Sequence, residues 1–85
     1  MGSAILDAEE RLDEDPNDVD ALTRLAEALV AEQDYEIAHE VYVDLVRLRP
    51  ESASALHGLA LTARALGDLP LAAESEREAL RLERG

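Results

Sequence analysis

The sequence predicts an all-α fold of stacked, antiparallel helix pairs, and three observations carry that expectation. The first is composition. Of 85 residues, fifteen are Leu and fifteen are Ala; Phe and Trp are absent, and Tyr35 and Tyr42 are the only aromatics. Leu, Ala, Glu and Arg are good helix formers, and β-branched residues are few. The second is an internal repeat. Sliding the chain by 34 residues aligns Ala4 with Ala38 and Ala72, Pro16 with Pro50, Leu22 with Leu56, and Leu25 with Leu59. Ala26 then meets Ala60, Asp34 meets Asp68, Val46 meets Leu80, and Leu48 meets Leu82. A fixed period of this length marks stacked supersecondary units. The third is that apolar residues recur at the spacing of one helical face.

These signals place five helices near 3–14, 19–32, 35–48, 53–66 and 69–83. The first is a partial unit, with Ala4 and Ala8 in repeat register and Pro16 beyond it. Asn17 or Asp18 starts the second, whose apolar face is Leu22, Leu25, Ala26 and Leu29. Asp34 is the N-cap candidate of the third, with Tyr35, Ala38, Val41, Tyr42, Leu45 and Leu48 along one side. The fourth repeats the pattern at Leu56, Leu59, Ala60, Ala63 and Leu66, and Gly67 ends it in a left-handed conformation. Asp68 caps the fifth, and Pro70 lies in its first turn, where a missing N–H costs nothing. The apolar positions of that helix are Leu69, Ala72, Ala73, Ala79, Leu80 and Leu82. Arg47, Arg49, Arg81 and Arg84 stand near C-terminal ends, where they complement the helix dipole. Short links make sequential helices antiparallel. One domain over 1–85 is expected, with a partial-repeat helix at 3–14 and repeats at 19–52 and 53–85.

Charge and composition exclude several roles. The net charge is −12, and all eight positive side chains are Arg. Phosphate backbones and anionic lipid would repel such a chain, so neither nucleic acid nor a membrane surface is an expected partner. Residues 1–20 hold eight acids against Arg11, a net −7. There is no cysteine, hence no disulfide or thiolate site, and a reducing cytoplasm is the expected location. No apolar run is long enough to span a bilayer. Met1-Gly2 does not complete a myristoylation signal, because Leu6 stands where Ser or Thr is required.

The run Leu22, Leu25-Ala26, Leu29, Gln33-Asp34-Tyr35, Ala38, Tyr42, Leu45 and Pro50 resembles the tetratricopeptide repeat family. A second run follows with Leu56, Leu59-Ala60, Ala63, Gly67-Asp68-Leu69, Ala72 and Ala79. The resemblance covers nearly the whole chain as about two and a half repeats. It implies a right-handed superhelical stack of helix pairs. Three departures stand out. Gln33 replaces a Gly, so a non-Gly residue is expected in the left-handed region, at a cost of roughly 1 kcal/mol or more. Glu76 replaces the aromatic that a following repeat would bury, and Arg84 replaces the proline that would lead into one. These two changes predict that helix five is a polar cap; Glu9, Glu10 and Asp13 suggest the same of the other end.

In the family, the first helix of each pair lines a concave groove. The resemblance therefore places partner-binding residues at Asp20, Thr23, Arg24, Glu27 and Val30, and at Ser54, His57, Leu61 and Arg64. Two acids against two Arg leave that face near neutral in an acidic chain, and Val30 and Leu61 make it partly apolar. Such a surface suits a peptide or helix of a partner protein. The family specialisation that grips a C-terminal carboxylate with Lys is not expected: the chain has no Lys, and Glu27 would repel the ligand.

Other patterns lead nowhere chemical. His39-Glu40 opens like a zinc-protease helix, but the second His would fall on Val43. His39 is read as a surface residue, and His57 as a hydrogen-bond donor to a ligand or simply exposed. Asp13, Asp15 and Asn17 alternate like a calcium loop, yet Asp18 stands where Gly is needed and Arg24 where Glu is needed. No phosphate loop, nucleophile–base arrangement or isolated carboxylate pair appears, so no enzymatic activity, cofactor or metal is expected. The expected function is a protein-interaction module or scaffold; the alternative is self-assembly as a homodimer or larger species through terminal helices or the groove.

Overall fold

The computed structural model describes residues 4–85. Within them the chain forms α1 (Ala4–Glu14), α2 (Val19–Ala31), α3 (Tyr35–Leu48), α4 (Ala53–Ala65) and α5 (Leu69–Glu83). These lie within a residue of the expected spans. Glu32 and Leu66 serve as C-caps rather than last helical residues, and the expected start at residue 3 lies outside the described residues.

Local chemistry explains each boundary. The Asp18 carboxylate accepts from the Ala21 N–H at 3.1 Å and caps α2. Asp68 accepts from the Leu71 N–H at 3.2 Å and caps α5. Asp34 holds the N-cap position of α3, but its side chain makes no capping bond. Ser52 caps α4 by accepting from the Ala55 N–H at 3.1 Å. Gln33 has φ 61° and Gly67 has φ 87°, so both turn the chain through the left-handed region. The following amides then close the C-terminal bonds, Asp34 N–H to Leu29 O and Asp68 N–H to Ala63 O, each at 2.8 Å.

The helices pack in sequence: α1 on α2, α2 on α3, α3 on α4 and α4 on α5. The core joins Leu22, Ala26 and Leu29 of α2, Ala38, Val41, Tyr42 and Leu45 of α3, and Ala55 and Leu59 of α4, with Ile5 and Leu12 of α1 packed against it. Leu45 is only 2% exposed; burial on that scale contributes about 1.5–3 kcal/mol. Ala26, Ala38, Ala60 and Ala72 are buried, as the repeat requires, and let the backbones approach. α3 and α4 approach closely at Gly58. A Cβ there would clash with the Tyr42 ring, so the aromatic lies directly on the α4 backbone.

The end helix is different. α5 buries only Ala72, Ser75 and Ala79. Leu69 is 62% exposed, Leu80 is 44% exposed, and Ala73 is exposed too. The expected polar cap is therefore a mixed surface, with leucines on either side of Glu76.

Candidate functional site

Short links make α2 and α4 each antiparallel to α3, so they run parallel to one another with α3 packed on both. They carry the nine residues expected to line a groove; Asp20, Arg24, Glu27, Ser54, Leu61 and Arg64 are exposed, and Thr23, Val30 and His57 are half-buried.

On α2, most of these side chains are already engaged. Asp20 accepts from Arg11 at 2.9 Å and pairs with Arg24 at 3.3 Å. Arg11 also grips Asp18 through two nitrogens, at 3.0 to 3.2 Å. The Ala21 N–H first, and then the Arg11 guanidinium, hold the Asp18 carboxyl below its usual range. Thr23 turns its hydroxyl inward and donates to the Val19 carbonyl at 2.8 Å. Val30 is half-buried against the core. Glu27 is exposed. Burial, and secondly the charge of Glu27, pushes the Tyr42 phenol up.

On α4, His57 is clamped rather than free. Its Nδ1 lies 2.7 Å from Glu76 Oε1 and its Nε2 lies 3.1 Å from Glu83 Oε1, both on α5. Carboxylates only accept, so satisfying both contacts needs an N–H on each ring nitrogen, which is the imidazolium. The hydrogen bond to Glu83 and the charge of Glu76 accordingly raise the His57 pKa against the opposing effect of desolvation. Ser54, Leu61 and Arg64 are exposed, Leu61 by 44%. Among the described residues, neither Glu27 nor Arg64 enters an ion pair.

His39 is not a plain surface residue. It is half-buried, and its Nδ1 lies 2.9 Å from the hydroxyl of Thr62, which is fully buried. That hydroxyl also lies 3.1 Å from the Gly58 and Leu59 carbonyls, and when it donates to either of them it accepts from an Nδ1–H tautomer of His39. The bond ties α3 to α4. Neither it nor the His57 clamp has a local sequence signal, since the partners are 19 to 26 residues apart.

A cleft of about 530 Å³ runs along another side of α5, lined by Leu56, Leu71, Ser75, Arg77 and Arg81 among others. None of the nine groove residues lines it. Among the described residues, no group of three or more His, Cys, Asp or Glu could hold a metal ion, and no helix is long and apolar enough to cross a membrane.

The tetratricopeptide repeat profile matches residues 19–62. The chain belongs to the tetratricopeptide repeat family. The match spans α2, α3 and most of α4, including the Tyr42–Gly58 contact. A tetratricopeptide repeat points to protein–protein interaction or scaffolding in general, and the family is generally non-catalytic. No curated protein matches the chain.

Proposed function

We propose that the chain is a protein-interaction module that holds a peptide or helix of a partner across the exposed sides of α2 and α4. One observation carries the reading: Leu61 is exposed beside Arg64, with Glu27 on α2, and neither charge enters an ion pair among the described residues. The other charged groove residues are satisfied internally. Leu61 supplies an apolar seat, while Arg64 and Glu27 favour one acidic and one basic residue in the ligand. His57 serves as a brace on α5 rather than as a free donor. A chain without cysteine suits the reducing cytoplasm.

The test is selection from a displayed peptide library, followed by two variants of the full chain. Charge reversal of Glu27→Lys with Arg64→Glu should abolish binding of the selected peptides, whereas Leu80→Glu on α5 should leave it intact. Peptides that bind both variants equally would refute the groove. Self-assembly is the weaker alternative, because each copy brings a net charge of −12 to the contact.

A further inference from the structure

The internal repeat supplies a template for the open face of α5. On α3, Tyr35, His39, Tyr42 and Val46 share one face at helical spacing. α4 covers that face: His39 bonds to Thr62, and the Tyr42 ring lies on Gly58. Adding 34 residues maps this face onto Leu69, Ala73, Glu76 and Leu80. Three of these are exposed, and Glu76 is half-buried.

One substitution changes what can cover the second face. At its centre the Tyr42 ring is replaced by the Glu76 carboxylate. The ring demands a glycine opposite; the carboxylate leaves space and presents a charge. The first repeat boundary shows the same exchange of volume. There the residue equivalent to Tyr42 is buried Ala8, and the residue equivalent to Gly58 is Arg24. In the repeat register, the position that is Gly58 opposite the Tyr42 ring of α3 is thus a long cationic residue, Arg24, where the ring is replaced by Ala8. Glu83 adds a second carboxylate near Glu76, since both reach the same imidazole.

We infer that the outer face of α5 docks an amphipathic helix of a partner protein that seats small apolar residues on Leu69, Ala73 and Leu80 and carries a Lys or Arg opposite Glu76. This surface adjoins the groove residue His57 through Glu76, but the inference does not rest on the groove reading. The incoming cation takes Glu76 from His57, which keeps Glu83. Charge complementarity favours a basic partner helix over a second copy of this acidic chain.

The probe is a synthetic peptide with the sequence of residues 52–66, held helical by a lactam staple on its outer side. It is made unaltered and with Gly58→Lys, and titrated into the isotope-labelled full chain. Both peptides should shift the amide resonances of Leu69, Ala73 and Leu80. The Lys peptide should bind about fivefold tighter in low salt, the upper range for a partly exposed ion pair. Glu76→Gln in the chain should erase that preference, and Glu76→Tyr should reverse it toward the Gly peptide. Leu80→Glu should abolish binding of both. Equal affinities, shifts confined to other helices, or no binding of either helical peptide would overturn the inference. So would a homodimer in sedimentation that buries α5.

Discussion

Helices α3 and α5 hold the same place in the 34-residue repeat, yet they experience different surroundings. α3 lies between α2 and α4 and buries Ala38, Val41, Tyr42 and Leu45. α5 has α4 alone as a substantial neighbour and buries Ala72, Ser75 and Ala79. Where α3 has Tyr42 and Leu45, α5 has Glu76 and Ala79. The repeat therefore sets the path of the backbone, while side-chain volume sets how much each helix contributes. Large residues tie the middle of the stack. Small residues and a histidine clamp hold its end.

The sharpest way to break the comparison is at Leu45. Leu45→Ala should cost about 3 kcal/mol by urea denaturation, from lost transfer energy and a residual cavity. Leu80→Ala on the exposed face of α5 should stay within about 0.5 kcal/mol. Equal losses would mean that the two helices are equally packed.

Gly58→Ala is next. Overpacking against Tyr42 costs about 1–3 kcal/mol, and the helix-propensity gain returns up to about 1 kcal/mol. The net effect should be destabilising. In a Tyr42→Ala background the same substitution should stabilise, because the ring is gone. A loss of equal size in both backgrounds would show that Tyr42 is not what excludes a side chain.

Gln33→Gly should raise stability by about 1 kcal/mol, since only the Gln pays a steric penalty at φ 61°. The equivalent position in the second repeat is already Gly67, which turns the chain at φ 87°. An unchanged or lower melting temperature would contradict this.

The smallest effects separate the two ends by pH. The folded pKa of Asp18 is lowered, so its contribution is present above the unfolded value and disappears as pH falls through the folded one. The folded pKa of His57 is raised, so its contribution is present below the unfolded value and disappears as pH rises through the folded one. Acidification should thus loosen the α1–α2 end, and alkalinisation the α4–α5 end. Denaturation across pH should lose its acid-side dependence in part with Asp18→Asn, and its dependence around and above neutrality with His57→Gln. Wild-type behaviour in His57→Gln on the neutral-to-alkaline side would remove the clamp from the account.

These contrasts also mark what a single sequence could reveal. The five spans were legible because Asp18, Asp68, Gly67 and Pro70 punctuate regular apolar spacing, and the left-handed turn at Gln33 followed from the family resemblance, in which a Gly stands there. The missing capping bond at Asp34 was not legible, because residue type does not fix a rotamer. The partners of His39 and His57 were not legible, because tertiary packing brings together residues far apart in the chain. Exposure of Leu69 and Leu80 was hidden for a related reason: periodicity defines a face but not whether anything covers it. For the candidate site, residue types on α2 and α4 were readable, whereas the internal satisfaction of Asp20, Thr23 and His57 was not.

Amide hydrogen exchange along the whole chain tests the contrast between the middle and end helices most directly. The core amides of α3 should exchange slowest, near the global unfolding limit, while those of α5 exchange faster through opening of the end helix. Protection in α5 equal to that in α3, under conditions where the chain is monomeric, would contradict the account.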